Sequence, residues 1–378
     1  MERPPSPRIR PCVASATGDL ETVATALSTA FARCAPALVL VFALDGEMVA
    51  PLTGRLAKAF GRGCRVVGCS SAGGFDFGGY DDDRVIAIAF PALAFRAEAV
   101  WLSRLRQHMA LDWMVALRSI AERIPPAPDK SRFGLMFIDG MSGREELVTT
   151  TVDATLPELL VLGGSAGDGL RFGRTHLAMN GETRDESAIF CLIATDFAIE
   201  EVVFDHFVPV GEKMVVTDAE PDTRVIREIN GEPAAAEYAR LIGLDAADLG
   251  PRAFAENPLL ERSAGRHFVR AISGVTADGG LSLMSSIHTG TILTIGRPES
   301  LTEGLRRRME QIGPAELVLG FDCILRRIAV EQAGEQETVG RLCHDYHIAG
   351  FNTYGEQHGG IHVNQTFVGL AFLERRGM

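Results

Sequence analysis

Residues 163–167 read Gly-Gly-Ser-Ala-Gly and fit G-x-S-x-G, the pattern of a nucleophile elbow. In that device a strand runs through a sharp turn into a helix, which aims and supports the serine hydroxyl. A short apolar run over 159–162 supplies the strand, but Asp168-Gly169-Leu170-Arg171-Phe172-Gly173 favours loop over helix. Two further turns carry a small hydroxyl, any residue, then glycine: Ser71-Ala72-Gly73 and Thr353-Tyr354-Gly355. A turn that recurs is better explained by backbone structure than by a unique nucleophile. Ser165 therefore reads as a turn residue or a ligand contact, with serine hydrolysis as an alternative of a different class.

Histidines 344, 347, 358 and 362 form the densest cluster of that residue type. His358 and His362 are four apart, but Gly359-Gly360 breaks the helix that would set both on one metal. A single imidazole suffices to hold haem, so the sequence leaves haem open as a cofactor, at these positions or at His176, His206, His267 and His288. Asp81-Asp82-Asp83 lacks the spacing of a calcium loop and reads as a solvated turn. No Walker loop occurs, and no G-x-G-x-x-G follows a strand. Arg270 lies inside an apolar strand pattern, where a buried guanidinium needs an anion. That anion is either an internal carboxylate or the carboxylate of a ligand.

The elements that must position these residues repeat. An apolar run begins about 32 to 36 residues before each hydroxyl turn, at 38–42, 133–138 and 317–321. A second run follows at 85–90, 188–193 and 367–372, with a longer intervening loop in the middle copy. The unit is strand, helix, glycine-rich strand end, polar loop, strand. The predicted fold is α/β: two domains with mixed sheets covered by helices, built from repeated strand-helix-strand-strand units. The expected divisions are a tail and helix over 1–34, a domain over 35–231 and a domain over 232–378. The second boundary follows the Asn230-Gly231 hairpin signal. Residues 1–16 read as a tail, 102–123 as one long helix, and 202–207, 213–216 and 225–229 as a strand meander.

Glycine-rich strand ends are the usual place for a crevice in open α/β sheets. Tyr354, Glu356 and Asn364 are predicted to meet Ser71 and Ser165 there. Glu356 can accept from an ammonium group and Asn364 can both donate and accept, which suits an amino-acid-like ligand. The alternative is that Glu356 and Asn364 brace their loop.

The chain has 378 residues, is 46% hydrophobic and 23% charged, and carries a net charge of −12. That composition is ordinary for a soluble globular protein. The negative charge argues against nucleic-acid and anionic-membrane partners. The basic run Arg306-Arg307-Arg308 reads as a solvated helix face. Seven scattered cysteines without C-x-x-C fit a reducing compartment. The first residues lack a secretory apolar region, and no apolar run approaches a membrane span. The expected location is the cytoplasm.

In their order along the chain, several segments resemble the FIST proteins, a prokaryotic sensory family with an N-terminal FIST domain and a FIST C domain. They are residues 66–73, 163–168, Met179-Asn180-Gly181-Glu182, 317–327, Gly350 to Glu356, and His362-Val363-Asn364-Gln365-Thr366. The resemblance runs from about residue 35 to the end. It implies a small-ligand sensor without catalysis, with amino acids or related metabolites as ligands. It also implies the alternative of a haem-based nitric oxide sensor that controls a separate histidine kinase. Many relatives carry a fused output domain, and this chain has no room for one. The expectation is signalling through a separate protein, with Ser71, Ser165, Arg270, Tyr354, Glu356 and Asn364 as the ligand contacts.

Overall fold

The computed structural model describes residues 9–107, 109–263 and 266–375, and the part of the predicted tail over 1–8 lies outside them. The fold is α/β, with mixed sheets covered by helices, and the three repeats share one arrangement. In the first, Pro36–Ala43 and Arg65–Ser70 pair in parallel across the helix Gly46–Phe60. Val85–Pro91 then returns antiparallel against Pro36–Ala43. The second repeats this with Ser131–Ile138, Leu160–Ser165 and Ser187–Thr195, the third with Leu317–Cys323, Ile348–Thr353 and Phe367–Leu373.

Each unit also has an outer fourth strand, antiparallel to its returning strand: Cys12–Ala16, Phe95–Ser103 and Ala198–Phe204. Two readings of the sequence are corrected by this. Residues 12–16 are a strand, not a tail, because five of them pair with Val85–Pro91. The helix expected over 102–123 begins only at Ala110. Residues up to Ser103 complete the second sheet and hold its nine-residue pairing with Ser187–Thr195.

The polar loop of every unit leaves home. Gly74–Asp76 and Gly79–Asp81, a hairpin of the first unit, pair onto Ile348–Thr353 of the third. Glu356–His358 and Ile361–Val363 of the third pair onto Leu160–Ser165 of the second. Leu177–Met179 and Glu182–Thr183 of the second pair onto Arg65–Ser70 of the first. Hairpins are thus exchanged in a ring.

Strand periodicity sets two faces per sheet. Leu38, Leu40 and Phe42 of the first unit, Phe133, Leu135 and Phe137 of the second, and Leu317, Leu319 and Phe321 of the third all enter one common core. At its centre the Phe42 and Phe351 rings stack 4.4 Å apart, and Phe137 lies 6.0 Å from Phe42. The alternate residues meet the helices: Val39 and Val41 under Leu20–Phe31 and Gly46–Phe60, Met136 and Ile138 under Ala110–Arg123 and Glu145–Thr155, Val318 and Ile348 under the helices of the third unit. The sequence shows both faces as continuous apolar runs because both are buried.

A fourth, wholly antiparallel sheet is inserted within the third unit, between its outer strand Ala198–Phe204 and Leu317–Cys323. Its strands run in space Arg266–Arg270, Leu259–Ser263, Ile292–Pro298, Phe207–Glu220, Val225–Ile229, Leu281–Leu283, Ile272–Val275. The expected meander is here in part, but Ala198–Phe204 belongs to the third unit's sheet. Position 231 falls inside the insert, where Val225–Ile229 and Glu232–Pro233 are paired. The insert has its own core around Met214, Tyr238 and Leu293, covered by the helix Ala234–Ile242. No helix among the described residues is long and apolar enough to cross a membrane.

Candidate functional site

Parallel register sets Ala43 beside Ser70, Ile138 beside Ser165, and Cys323 beside Thr353. The equivalent hydroxyls are therefore Ser70, Ser165 and Thr353. Matching on hydroxyl-x-glycine picked Ser71, one residue off, because the first turn spends one more residue before its glycine.

The three strand ends meet. Ser70 Oγ accepts from the His176 N–H at 2.8 Å, and Ser165 Oγ accepts from Gln357 Nε2 at 2.9 Å. Each partner sits on the hairpin borrowed from another unit. Thr353 ends the strand that pairs with its borrowed hairpin at Gly74 and Phe75, and its hydroxyl donates to Glu356 Oε1 within its own unit. Ser71 Oγ accepts from the Gly73 N–H at 3.4 Å, and its carbonyl takes the Gly169 N–H at 3.1 Å.

Ser165 lacks the surroundings of an elbow. The strand Leu160–Ser165 leads into coil, and the hydroxyl is held by an amide, with no base bonded to it. The motif's glycines have packing causes. A Cβ on Gly164 would collide with the Thr353 methyl, and one on Gly167 would come 2.9 Å from the Ala72 nitrogen.

All six predicted contacts are buried, none more than 9% exposed. The structure brings five of them to one junction. The Tyr354 hydroxyl bonds Asp168 and accepts from the Asp168 and Phe172 N–H groups at 3.1 and 3.2 Å, while the Phe172 ring stacks on it at 4.5 Å. Although burial opposes its charge, the Tyr354 hydroxyl and the Arg174 and Gly173 N–H groups hold Asp168 below the usual carboxylate range. Glu356 is wholly enclosed, and burial pushes its carboxyl well above that range. Its oxygens are taken by Thr353 and, at 3.4 Å, by the Thr366 N–H. Asn364 Nδ2 donates to the Tyr354 carbonyl at 3.4 Å, and its Oδ1 is buried without a partner.

Arg270 stands apart from these five, in a cleft of about 190 Å³ where the insert meets the other units. Its Nε bonds Glu261 at 2.7 Å, which settles the internal carboxylate the sequence left open. Its Nη1 bonds Ser285 at 3.3 Å and the His362 carbonyl at 2.9 Å. Its Nη2 has no protein partner among the described residues. Glu146 and Thr150 of the helix Glu145–Thr155 and His288 of the insert complete the walls. Arg224 ties the cleft shut on one side, bonding Glu145 at 2.6 Å and Glu146 at 2.9 Å. Burial pulls the His362 imidazole down to about 4, so it is neutral at pH 7.

The cleft and the junction are joined. His362 Nδ1 lies 3.2 Å from Gln357 Nε2, which bonds Ser165, and the Ser165 carbonyl takes the Tyr354 N–H at 3.1 Å. Glu146, Glu261 and Gln357 were not singled out in the sequence. Glu261 alone had a local signal, two positions from Arg270 across a hairpin.

A second crevice, about 520 Å³, lies at the strand ends of the first unit between Asp45, Asp83, Arg84 and Arg171. Its charges are largely committed. Asp45 caps the helix Gly46–Phe60, Asp82 bonds Arg327, and Arg84 pairs with Asp76 and Asp81.

Comparison with known families fits this architecture. The model of the FIST N domain matches residues 37–232, and that of the FIST C domain matches residues 234–358. No curated protein matches the chain. With most of its length covered by the two models in order, the chain belongs to the FIST family, whose domains are small-ligand-sensing signalling domains.

Proposed function

We propose that this protein senses an amino-acid-like metabolite in the Arg270 cleft, without catalysis, and signals through a separate protein in the cytoplasm. The observation that carries the reading is Arg270 Nη2, a guanidinium nitrogen without a partner among the described residues, in a cleft that also holds Glu146 and Glu261. A ligand carboxylate suits the first, and a ligand ammonium suits the carboxylates. At about 190 Å³ the cleft is below the roughly 300–1,000 Å³ of drug-sized sites, which restricts it to a small metabolite. Ser71, Ser165, Tyr354, Glu356 and Asn364 then act as the brace behind the cleft, reached through His362 and Gln357. Seven buried cysteines, none of them in a disulfide, support a reducing compartment.

The test is a melting-temperature screen of the standard amino acids. Binding stabilises the fold by mass action. Thr150 lines the cleft from an exposed helix position, so Thr150→Trp fills it without disturbing the core. The expected result is a ligand-induced rise in the parent that Thr150→Trp abolishes, with little change in the ligand-free melting temperature. An undiminished rise in the variant places the ligand elsewhere.

The haem alternative has one observation in its favour. His347 borders a crevice of about 520 Å³ walled by Ile9, Pro11, Val13 and Phe77, with Arg10 at its rim. Its Nδ1 lies 3.1 Å from the Ala315 carbonyl, which leaves Nε2 as the coordinating nitrogen. A Soret band on adding haem, lost in His347→Ala, supports this reading, and its absence removes it.

A further inference from the structure

Against a net charge of −12, one groove carries only positive charge. Arg55 and Lys58 of the helix Gly46–Phe60, with Arg62 and Arg65 after it, line a groove of about 1010 Å³ that no acidic residue lines. Arg55 and Lys58, three apart, share one flank of the helix, and Arg62 and Arg65 follow its end at Gly61. The groove exists because two glycines meet at its floor. A Cβ on Gly54 would lie 3.2 Å from the Gly181 Cα, so neither carries a side chain there. Ala50, Pro51 and Ala57 supply apolar walls.

Two of the cations are shared and two are not. Arg55 reaches Glu21, a pair exposed on both sides, and Arg65 bonds Glu98 at 3.0 Å. The exposed Arg55–Glu21 pair contributes little to stability, whereas the Arg65–Glu98 pair is half-buried. Lys58 and Arg62 have no side-chain partner among the described residues.

The shape selects among anions. The helix ends at Gly61, and its last carbonyls carry partial negative charge. A compact phosphate at that end would meet this repulsion. An extended segment can instead spread its charges from Arg55 on the helix to Arg62 beyond its end.

We propose that this groove docks an acidic segment with apolar residues, belonging to a separate protein partner. The proposal rests on the reading of the chain as a sensor that signals through such a partner. At a distance the net charge repels an acidic protein, but beyond the Debye length of about 8 Å that repulsion is screened. Recognition is therefore local, and added salt weakens it.

The test uses the full chain and a fluorescein-labelled peptide of repeating Glu-Glu-Leu, with a Gln-Gln-Leu peptide as control. Lys58 and Arg62 are exposed, so Lys58→Glu with Arg62→Glu leaves the fold intact. The expected result is salt-sensitive binding of the acidic peptide alone, weakened about tenfold or more in the double variant. The pair Lys58→Arg and Arg62→Lys keeps binding. Equal affinity in the charge-reversed variant overturns the proposal. So does equally tight binding of tripolyphosphate or oligo-dT, which would make the groove a general anion site. The amino-acid screen is repeated on the double variant. A retained ligand shift with groove-independent peptide binding sinks the docking site alone, while no shift in the parent protein sinks the sensor reading whatever the peptide does.

Discussion

Glu356 shows what the junction asks of single residues. It is wholly enclosed, with its carboxyl pushed well above the usual range by burial, and is bonded to Thr353 and Thr366. Removing one partner from a buried hydrogen-bonded group costs on the order of 1–3 kcal/mol. Glu356→Ala strands the Thr353 hydroxyl, and Asn364→Ala empties a fully buried site. Both variants are expected to melt earlier in the absence of any ligand. Glu356→Gln keeps the shape of the side chain without its charge and is expected to lose clearly less. If Glu356→Ala and Asn364→Ala leave the ligand-free melting temperature unchanged, these residues do not brace the junction. Convergence of Ser165, Tyr354 and Glu356 was legible, since small hydroxyls and polar side chains recur at glycine-rich strand ends. Their enclosure was not, because it depends on hairpins borrowed from units almost 200 residues away, as in the Gln357–Ser165 bond.

Among elements, the repeat was legible and the exchange was not. Apolar runs at matched offsets mark strands 38–42, 133–138 and 317–321, because both faces of each are buried. The hairpins Gly74–Asp81 and Glu356–Val363 are short and polar, and nothing local says that their partners lie in other units. The parallel pairs depend on close backbone contact at glycines. Gly350 lies directly beside Gly320, and a Cβ there would collide with the Gly320 carbonyl. Gly350→Ala must therefore force two central strands apart, with Phe351 next in line to the shared core. The expected cost is about 3 kcal/mol or more, read as a shift in the urea midpoint. A change below about 0.5 kcal/mol would show that the strands relax freely, contrary to a close-packed interior.

At the scale of the whole molecule, three units sharing one core carry a separate sheet on one side. The cleft depends on that insert, since Arg270, Glu261 and His288 belong to it while Glu146 and His362 do not. Which unit the sheet would face was hidden in the sequence, because its strands pair only with one another. The two parts separate cleanly in the chain. The Glu299 N–H donates to the His206 carbonyl at 2.7 Å, so the entry and exit of the insert are adjacent. Among the described residues the shared core takes one from the insert, Phe268, and the insert has its own core. Excising 207–298 with a short Gly-Ser link between His206 and Glu299 should thus leave a chain that folds cooperatively. It will melt lower, because Phe268 is gone and the Arg224 bonds to Glu145 and Glu146 are lost. Glu145, once uncovered, regains water and is not stranded as a buried charge, which limits the loss. The amino-acid-induced shift should vanish, while the acidic peptide should still bind, since Lys58 and Arg62 lie in the first unit. Circular dichroism and thermal melting of the excised chain decide it: a chain without a cooperative transition would mean that the insert is part of what folds the core, and a surviving ligand shift would move the sensing site away from Arg270.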